Sequence, residues 1–205
     1  MAFTAGVVLT EVRRLLRDGR ASAQRYSDTL IFQAMSTAQL TLVQLDDQAS
    51  KITHQFPLTA GTLQTVPVGF SGWESIDRNV DGPAISLIEK DDMDAALLDW
   101  HNDTATSVVD HVVSAEYARA FYVYPPNDGN GSQVEGVLHF TPSPVTNSSH
   151  VFQFLDTYQS ALTYLTTAGL LAADSEKEAS RNLSSGFYQT ALFELGVLEG
   201  HQHGA

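Results

Sequence analysis

Carboxylates crowd residues 89–94, where Asp91, Asp92 and Asp94 follow Glu89. Carboxylate oxygens this close together are suitable ligands for calcium, and convergent carboxylates in a cleft can serve as general acid and base in hydrolysis. The segment lacks the glycine and the terminal glutamate of an EF-hand loop, however. Acidic residues also stabilise the positive end of a helix dipole, so we interpret the cluster as the first turn of a helix.

The other residues with chemical potential do not combine into a centre. Two imidazoles in the terminal sequence GHQHGA, His201 and His203, are too few for a metal site. The remaining histidines lack ligand spacing and are interpreted as structural: His54, His101, His111, His139 and His150. The sequence contains no cysteine, no phosphate-binding loop, no G-x-S-x-G motif and no H-E-x-x-H motif. It therefore predicts no enzyme activity, no metal and no cofactor.

Charge is distributed unevenly along the 205 residues. The net charge is −13, yet residues 1–25 carry +3 because they include five arginines, and the remaining 180 residues carry −16. This balance argues against tight nucleic-acid binding, which needs clustered lysine and arginine. No run reaches the roughly 18 apolar residues of a membrane span, and we expect neither a signal peptide nor a membrane anchor.

Apolar residues at helical spacing occupy both ends of the sequence. The spacing predicts helices over residues 5–18, 27–47, 152–173 and 175–196, with Ser27 as the N-cap of the second. We expect the four helices to pack together through one set of facing positions: Leu30, Ala34, Ala38, Leu42, Leu162, Leu165 and Leu183.

The middle of the sequence has a different period. Short segments rich in β-branched and aromatic residues, separated by turn signals, predict a mostly antiparallel sheet structure. A short helix over residues 91–103 interrupts them. The predicted fold is α+β, with a helical bundle from residues 1–50 and 149–200, a β-rich insertion lobe over 51–148 and a flexible tail over 201–205.

Residues 115–140 pose a local question, because the aromatic run FYVY meets two prolines, crosses the polar segment NDGNGS and becomes apolar again. One interpretation is a β-hairpin with a long polar tip, in which Gly, Asn and Asp take the turn positions. Tyr122 and Tyr124 then lie on one face of the first strand, and Phe121 and Val123 on the other.

The order of several short motifs resembles a known family. The motifs are VRRLLRD, RYSDTLIFQAMSTAQ, FPLTAGTLQTVP, LDW and FYVYPP, followed by a pair of C-terminal helices. Together, over residues 7–196, they are similar to the adaptor proteins of tailed bacteriophages, which connect head to tail beneath the portal. The resemblance implies a structural virion protein of the neck, assembled in the bacterial cytoplasm. It further implies a ring of about a dozen copies that contacts the portal and a tail tube or nozzle protein, with a lumen for DNA.

An acidic lumen fits this implied role, because it repels DNA and lets it pass without specific binding. The C-terminal segment carries more apolar side chains than one helix face needs, so we expect it to dock onto the portal through Phe187, Tyr188, Phe193, Leu195, Val197, Leu198, His201 and His203. Contacts with a neighbouring subunit or the tail are expected at Arg13, Arg14, Arg17, Tyr122, Tyr124, Asn127 and Asp128. Alternatively, both faces of the FYVY strand are covered within one chain.

Another function class stays open. A β-rich binding module of a phage tail, recognising carbohydrate or a host surface, could use Trp73, Tyr122 and Tyr124 as stacking platforms. The flanking helices argue against this alternative.

Overall fold

The helices form where the apolar spacing predicts them. The computed structural model describes residues 3–20, 24–115, 119–174 and 178–197. Within those ranges, Ser27 accepts a hydrogen bond from the Leu30 amide at 3.3 Å and caps its helix as predicted. The five α-helices of the described residues are α1 (Ala5–Leu15), α2 (Asp28–Leu45), α3 (Lys90–Ala96), α4 (Gln159–Ala173) and α5 (Glu178–Glu194).

In the middle of the chain, seven strands of the described residues build two sheets. They are β1 (Lys51–Pro57), β2 (Gly61–Thr65), β3 (Phe70–Asn79), β4 (Ser86–Ile88), β5 (His111–Ser114), β6 (Ala120–Asn127) and β7 (Gln133–Phe140). One sheet has the order β1-β7-β3 and the other β2-β6-β5-β4. All pairings are antiparallel except that of β4 with β5. The predicted α+β fold, with helices at both ends and a β-rich middle, is confirmed.

Contacts divide the chain into two compact units. The helical unit comprises the residues up to Ser50 and those from Pro142 onward, and the β-rich unit is Lys51–Thr141. Residues 142–148, assigned to the lobe in the sequence analysis, lie with the helices. Two polar side chains of α2 hold them there: Gln39 Nε2 donates to the Ser143 carbonyl at 3.1 Å, and Ser36 Oγ accepts from the Val145 amide at 2.9 Å.

The hairpin interpretation is wrong, because β6 and β7 lie in different sheets. Strand β6 also continues through Pro125, which follows a cis peptide bond, and ends at Asn127. Strand β6 pairs with β2 and β5, and strand β7 pairs with β1 and β3. These long-range pairings determine the position of each strand, and the turn signals between them do not. The segment between them crosses from one sheet to the other, with Gly129 and Gly131 at positive φ values of 74° and 87°.

Within the helical unit, α4 is the central helix, packed against α1, α2 and α5. The predicted facing positions Ala38, Leu42, Leu162 and Leu165 are buried. The predictions for two others are wrong, because Leu30 is 41% exposed and Leu183 is 56% exposed; Ala34 is half-buried. The buried face of α2 is displaced by one position toward Ile31 and Met35, because the helix is buried chiefly by α4.

Two predicted helices are much shorter than the patterns suggested. The acidic segment forms α3, and its apolar continuation is a separate 3-10 turn, Trp100–Asn102. Helix α4 begins at Gln159. Phe152 and Phe154, which the prediction placed in this helix, lie in the non-helical segment before it, and both are buried. In the described part of the chain, no helix has both the length and the apolar character that a bilayer crossing requires.

Candidate interaction surfaces

The arginines of α1 separate into different environments. Arg13 is buried: its Nη1 donates to Asp18 Oδ2 at 3.0 Å, and its Nη2 donates to the Tyr26 carbonyl at 3.1 Å and to Asp28. Asp18 is also buried and accepts from the amides of Arg25 and Tyr26 at 2.6 and 3.2 Å. This network joins the end of α1 to the start of α2. The contacts of Arg13 thus lie inside the chain and leave it little surface for a partner, and the interface expected of it stays a prediction.

The other two arginines of the expected interface are accessible. Arg14 is exposed and pairs with Glu11 at 2.8 Å, one turn earlier on the same helix. Arg17 is exposed just beyond the helix end, with a φ of 54°. An exposed ion pair of this kind contributes little to stability. A cationic surface on this side of the chain consequently rests on Arg14 and Arg17, and their role in binding stays a prediction.

Both faces of β6 have packing partners within the chain. Phe121 and Val123 are fully buried in the core that the two sheets share. On the opposite face, Tyr122 and Tyr124 are half-buried against a second cluster that includes Trp100. The Trp100 ring meets Tyr122 edge-on with centroids 5.7 Å apart. Contacts within the chain therefore bury one face of the strand and cover the other in part, and a neighbouring subunit at Tyr122 and Tyr124 stays a prediction.

Tyr124 is further fixed by a polar contact at its ring edge. Its hydroxyl donates to Asp103 Oδ2 at 3.0 Å, and this hydrogen bond to a carboxylate raises the pKa of Tyr124 above its ordinary value. The ring also stacks on His111, with centroids 6.2 Å apart and an interplanar angle of 10°. Together these contacts hold the Tyr124 ring at its hydroxyl and against the imidazole of His111.

Asn127 and Asp128 do not project as a tip. Asn127 is buried; its Nδ2 donates to the Thr106 carbonyl at 3.4 Å, and its Oδ1 accepts from the Gly129 amide at 2.9 Å. The amide of half-buried Asp128 also donates to Thr106, at 3.0 Å. These two residues hold the loop that contains Thr106 against the end of β6. The exposed tip is residues 129–131, and an interface at Asn127 and Asp128 stays a prediction.

The acidic cluster forms the start of α3, as predicted. Asp91 and Asp92 are exposed in its first turn. Asp94 pairs with Lys90 and accepts from Trp100 Nε1 at 2.9 Å, and the Lys90 contact above all lowers the pKa of Asp94. Across the described ranges, no three His, Asp or Glu side chains converge into a possible metal site. The carboxylates organise the small helix that packs beside β5.

The predicted portal-binding residues are placed differently along α5. Phe187 is half-buried and stacks on Tyr164 of α4, with centroids 6.1 Å apart. Leu195 is also half-buried, whereas Phe193 and Val197 are exposed at 62% and 48%. Tyr188 lies beside a groove in the helical unit. The remaining members of the set, Leu198, His201 and His203, lie outside the described residues, as does the predicted tail.

An open apolar groove is the feature that the sequence analysis missed. It encloses about 720 Å³, with α4 as its floor and α2 and α5 as its walls. Its lining is dominated by small residues, including Ala34, Ala168, Gly169 and Ala172. The sequence pattern that could have predicted this groove is the cluster of alanine and glycine on α4 and α2. Small side chains on adjacent helices leave space for another element.

Trp73, which the carbohydrate-binding alternative would use for stacking, already has partners within the chain. Its ring packs on Phe121, with centroids 5.6 Å apart, and its Nε1 donates to the Ala120 carbonyl at 3.1 Å. Trp73 joins the core that includes Phe121, whereas Tyr122 and Tyr124 join the cluster on the other face of β6. The three rings form no common binding surface.

Partial burial of His150 is expected to make the stability of the helical unit depend on pH. Desolvation lowers the pKa of His150 below its ordinary value of 6.5. The unfolded chain then takes up a proton more readily than the folded chain, so this contribution to stability is present above about pH 6.5 and is lost as the pH falls. We expect His150→Gln to weaken the decline in unfolding free energy between pH 7 and 5, measured by urea denaturation. An unchanged slope would assign the decline to other groups.

Comparison with known protein families gives one result that spans the fold. The model of the SU10 adaptor protein family matches residues 3–203, which include all the helices and strands described above. The chain therefore belongs to the SU10 adaptor protein family, and the resemblance stated from its motifs is confirmed. Family membership makes it a structural adaptor of a phage virion, associated with other virion components. A comparison with curated proteins finds no match.

Proposed function

We propose that this chain is the head-to-tail adaptor of its virion, in which about a dozen copies form a ring between the portal and the tail tube or nozzle protein. The ring encloses a lumen through which DNA passes. Membership of the adaptor family over residues 3–203 is the observation that carries this proposal. The role is structural and requires neither turnover nor a cofactor.

The charge of the chain supports the proposed lumen. Its 24 acidic residues outnumber its 11 lysines and arginines, and such an excess repels the phosphate backbone at short range. A ring surface that bound DNA would retard its passage. The proposal accordingly includes no specific contact with DNA.

Portal docking is assigned to the end of α5 and the residues that follow it. Phe193 and Val197 expose apolar surface there, and such surface at a helix end is suited to a hydrophobic contact with a partner. Leu198, His201 and His203 extend this segment in sequence. Phe187 and Leu195 contribute indirectly, because they pack the helix that carries it.

The test is binding of the full-length chain to portal rings of the same phage, measured by co-sedimentation and native mass spectrometry. We expect a complex with about a dozen adaptor copies per portal, and loss of that complex on deletion of residues 197–205. Leu98→Ser is the matched control, because it removes an apolar side chain that is 96% exposed in the β-rich unit. Undiminished binding by the deletion variant would place the docking surface elsewhere, and absence of any ring with the intact chain would overturn the proposed function.

A further inference from the structure

The groove in the helical unit has walls that run in the same direction. The Tyr26 hydroxyl reaches Asp174 Oδ2 at 3.4 Å, and the Tyr158 hydroxyl reaches Asp46 Oδ2 at 2.8 Å, so α2 is antiparallel to α4. Ser184 Oγ donates to the Ala168 carbonyl at 2.9 Å, and Phe187 stacks on Tyr164. Helix α5 is therefore also antiparallel to α4, and α2 and α5 are parallel.

The floor and walls have space for one more helix. Along α2 the lining extends from Leu30 to Thr41, a span of about 17 Å at the rise of an α-helix. A Cβ atom added to Gly169, on the floor, would meet nothing within 4 Å. Small residues on the floor allow close approach of a further helix, and partly exposed Leu30 supplies apolar surface at one end.

The opposite side of α5 carries a stripe that fits this groove. Ala179, Leu183, Gly186 and Thr190 follow one another at spacings of four, three and four residues, so they share one helix face. All are exposed except Thr190, which is half-buried. The face lies roughly opposite the groove-lining Arg181 and Ser185, as the 100° turn per residue requires. Its length is also about 17 Å.

We propose that the stripe of α5 in one copy of this chain packs as a fourth helix into the groove of the next copy. The inference rests on the ring of the proposed function, and it names the surfaces that close that ring. A groove and a stripe are different surfaces, so the contact is heterologous and generates a ring when the rotation closes. Phe193 lies one turn beyond the stripe and stays available to the portal.

The symmetry of a ring sets the direction of the docked helix. Adjacent copies in a ring of about twelve differ by a rotation of about 30°, so the incoming α5 runs nearly parallel to the α5 that lines the groove. Its first turn then lies at the end of the groove where Arg181 stands. Glu178 is exposed in that first turn, and neither it nor Arg181 forms an ion pair within the described ranges. A Glu178 of one copy beside Arg181 of the next gives the contact complementary charge.

Engineered cysteines test this contact without background, because the sequence contains none. Gly169→Cys places a thiol on the floor, and Leu183→Cys places one on the stripe. The double variant, assembled alone or on portal rings and treated with an oxidant or a short bis-maleimide, should give a ladder of covalent multimers up to the ring size. A mixture of the two single variants should give covalent dimers that each contain one copy of either variant.

A charged side chain at position 169 tests the groove without a steric clash inside the chain, because a Cβ atom there meets nothing within 4 Å. Gly169→Glu places a charge on the apolar floor and should abolish ring assembly, while Gly169→Ala should leave it intact, with both variants retaining the wild-type circular dichroism spectrum. Two results together would overturn this inference and leave the proposed function standing. The first is ring assembly by the Gly169→Glu variant, and the second is the absence of a covalent ladder from rings of the double cysteine variant. A wild-type chain that forms no ring, either alone or on portals, would overturn both.

Discussion

Replacing Arg13 by methionine is expected to lower the free energy of unfolding of the helical unit by about 3–5 kcal/mol. Asp18 is buried, and the Arg13 guanidinium is the charged partner of its carboxylate. Methionine keeps most of the aliphatic stem but leaves that carboxylate without its counter-charge in a site of low polarity. The Tyr26 carbonyl and Asp28 lose their donor at the same time.

Chemical denaturation followed by circular dichroism measures this loss, and Arg14→Met is its matched control. Arg14 is the next residue on α1, but its pair with Glu11 is exposed, so its removal should change the free energy by less than about 1 kcal/mol. Equal losses in the two variants would contradict the distinction between a buried network and a surface pair.

Gly136→Ala is expected to lower the stability of the β-rich unit by about 3 kcal/mol. Gly136 lies in β7, the central strand of its sheet, opposite Ile76 of β3 and His54 of β1. A Cβ atom at this position would stand 2.3 Å from the Ser75 carbonyl oxygen and 3.0 Å from Ile76 Cα. Both obstacles are backbone atoms, so the strands must move apart.

The control for this substitution is Gly169→Ala in α4. There the new methyl group meets nothing within 4 Å, and alanine is preferred to glycine in a helix by about 1 kcal/mol. The two changes are chemically identical, and we expect them to shift the midpoint of thermal unfolding in opposite directions. A stable Gly136→Ala variant with unaltered strand pairing would show that β3 can yield at Ser75.

Local patterns predicted the elements of the fold because their causes are local. Spacings of three and four residues located the helices, and the Ser27 hydroxyl and the amide it accepts from are only three positions apart. Exposure was less predictable: Leu30 has the same apolar character as buried Leu42, but it lies beside an open groove. The sequence does not reveal which sides of a helix have neighbours.

Strand partners were the main failure, for a physical reason. The turn signals between β6 and β7 are real, but they specify a change of direction and not a pairing. Phe121 stands opposite Gln64 on one side and Ser114 on the other, and such long-range partners are selected by the packing of the whole unit. The arginines of α1 were equally ambiguous, because Arg13 and Arg14 differ only in which side of the helix they occupy.

The division of the chain affects the order in which it is made. The β-rich unit is one uninterrupted segment, so its contacts are complete once residue 141 has left the ribosome. Helices α1 and α2 emerge earlier, but α4, against which both pack, begins only at Gln159. At the usual pace of bacterial synthesis, that delay lasts roughly 5–20 s. The first two helices must keep their apolar faces from other chains during this interval, and the helical unit is completed after the segment inserted within it.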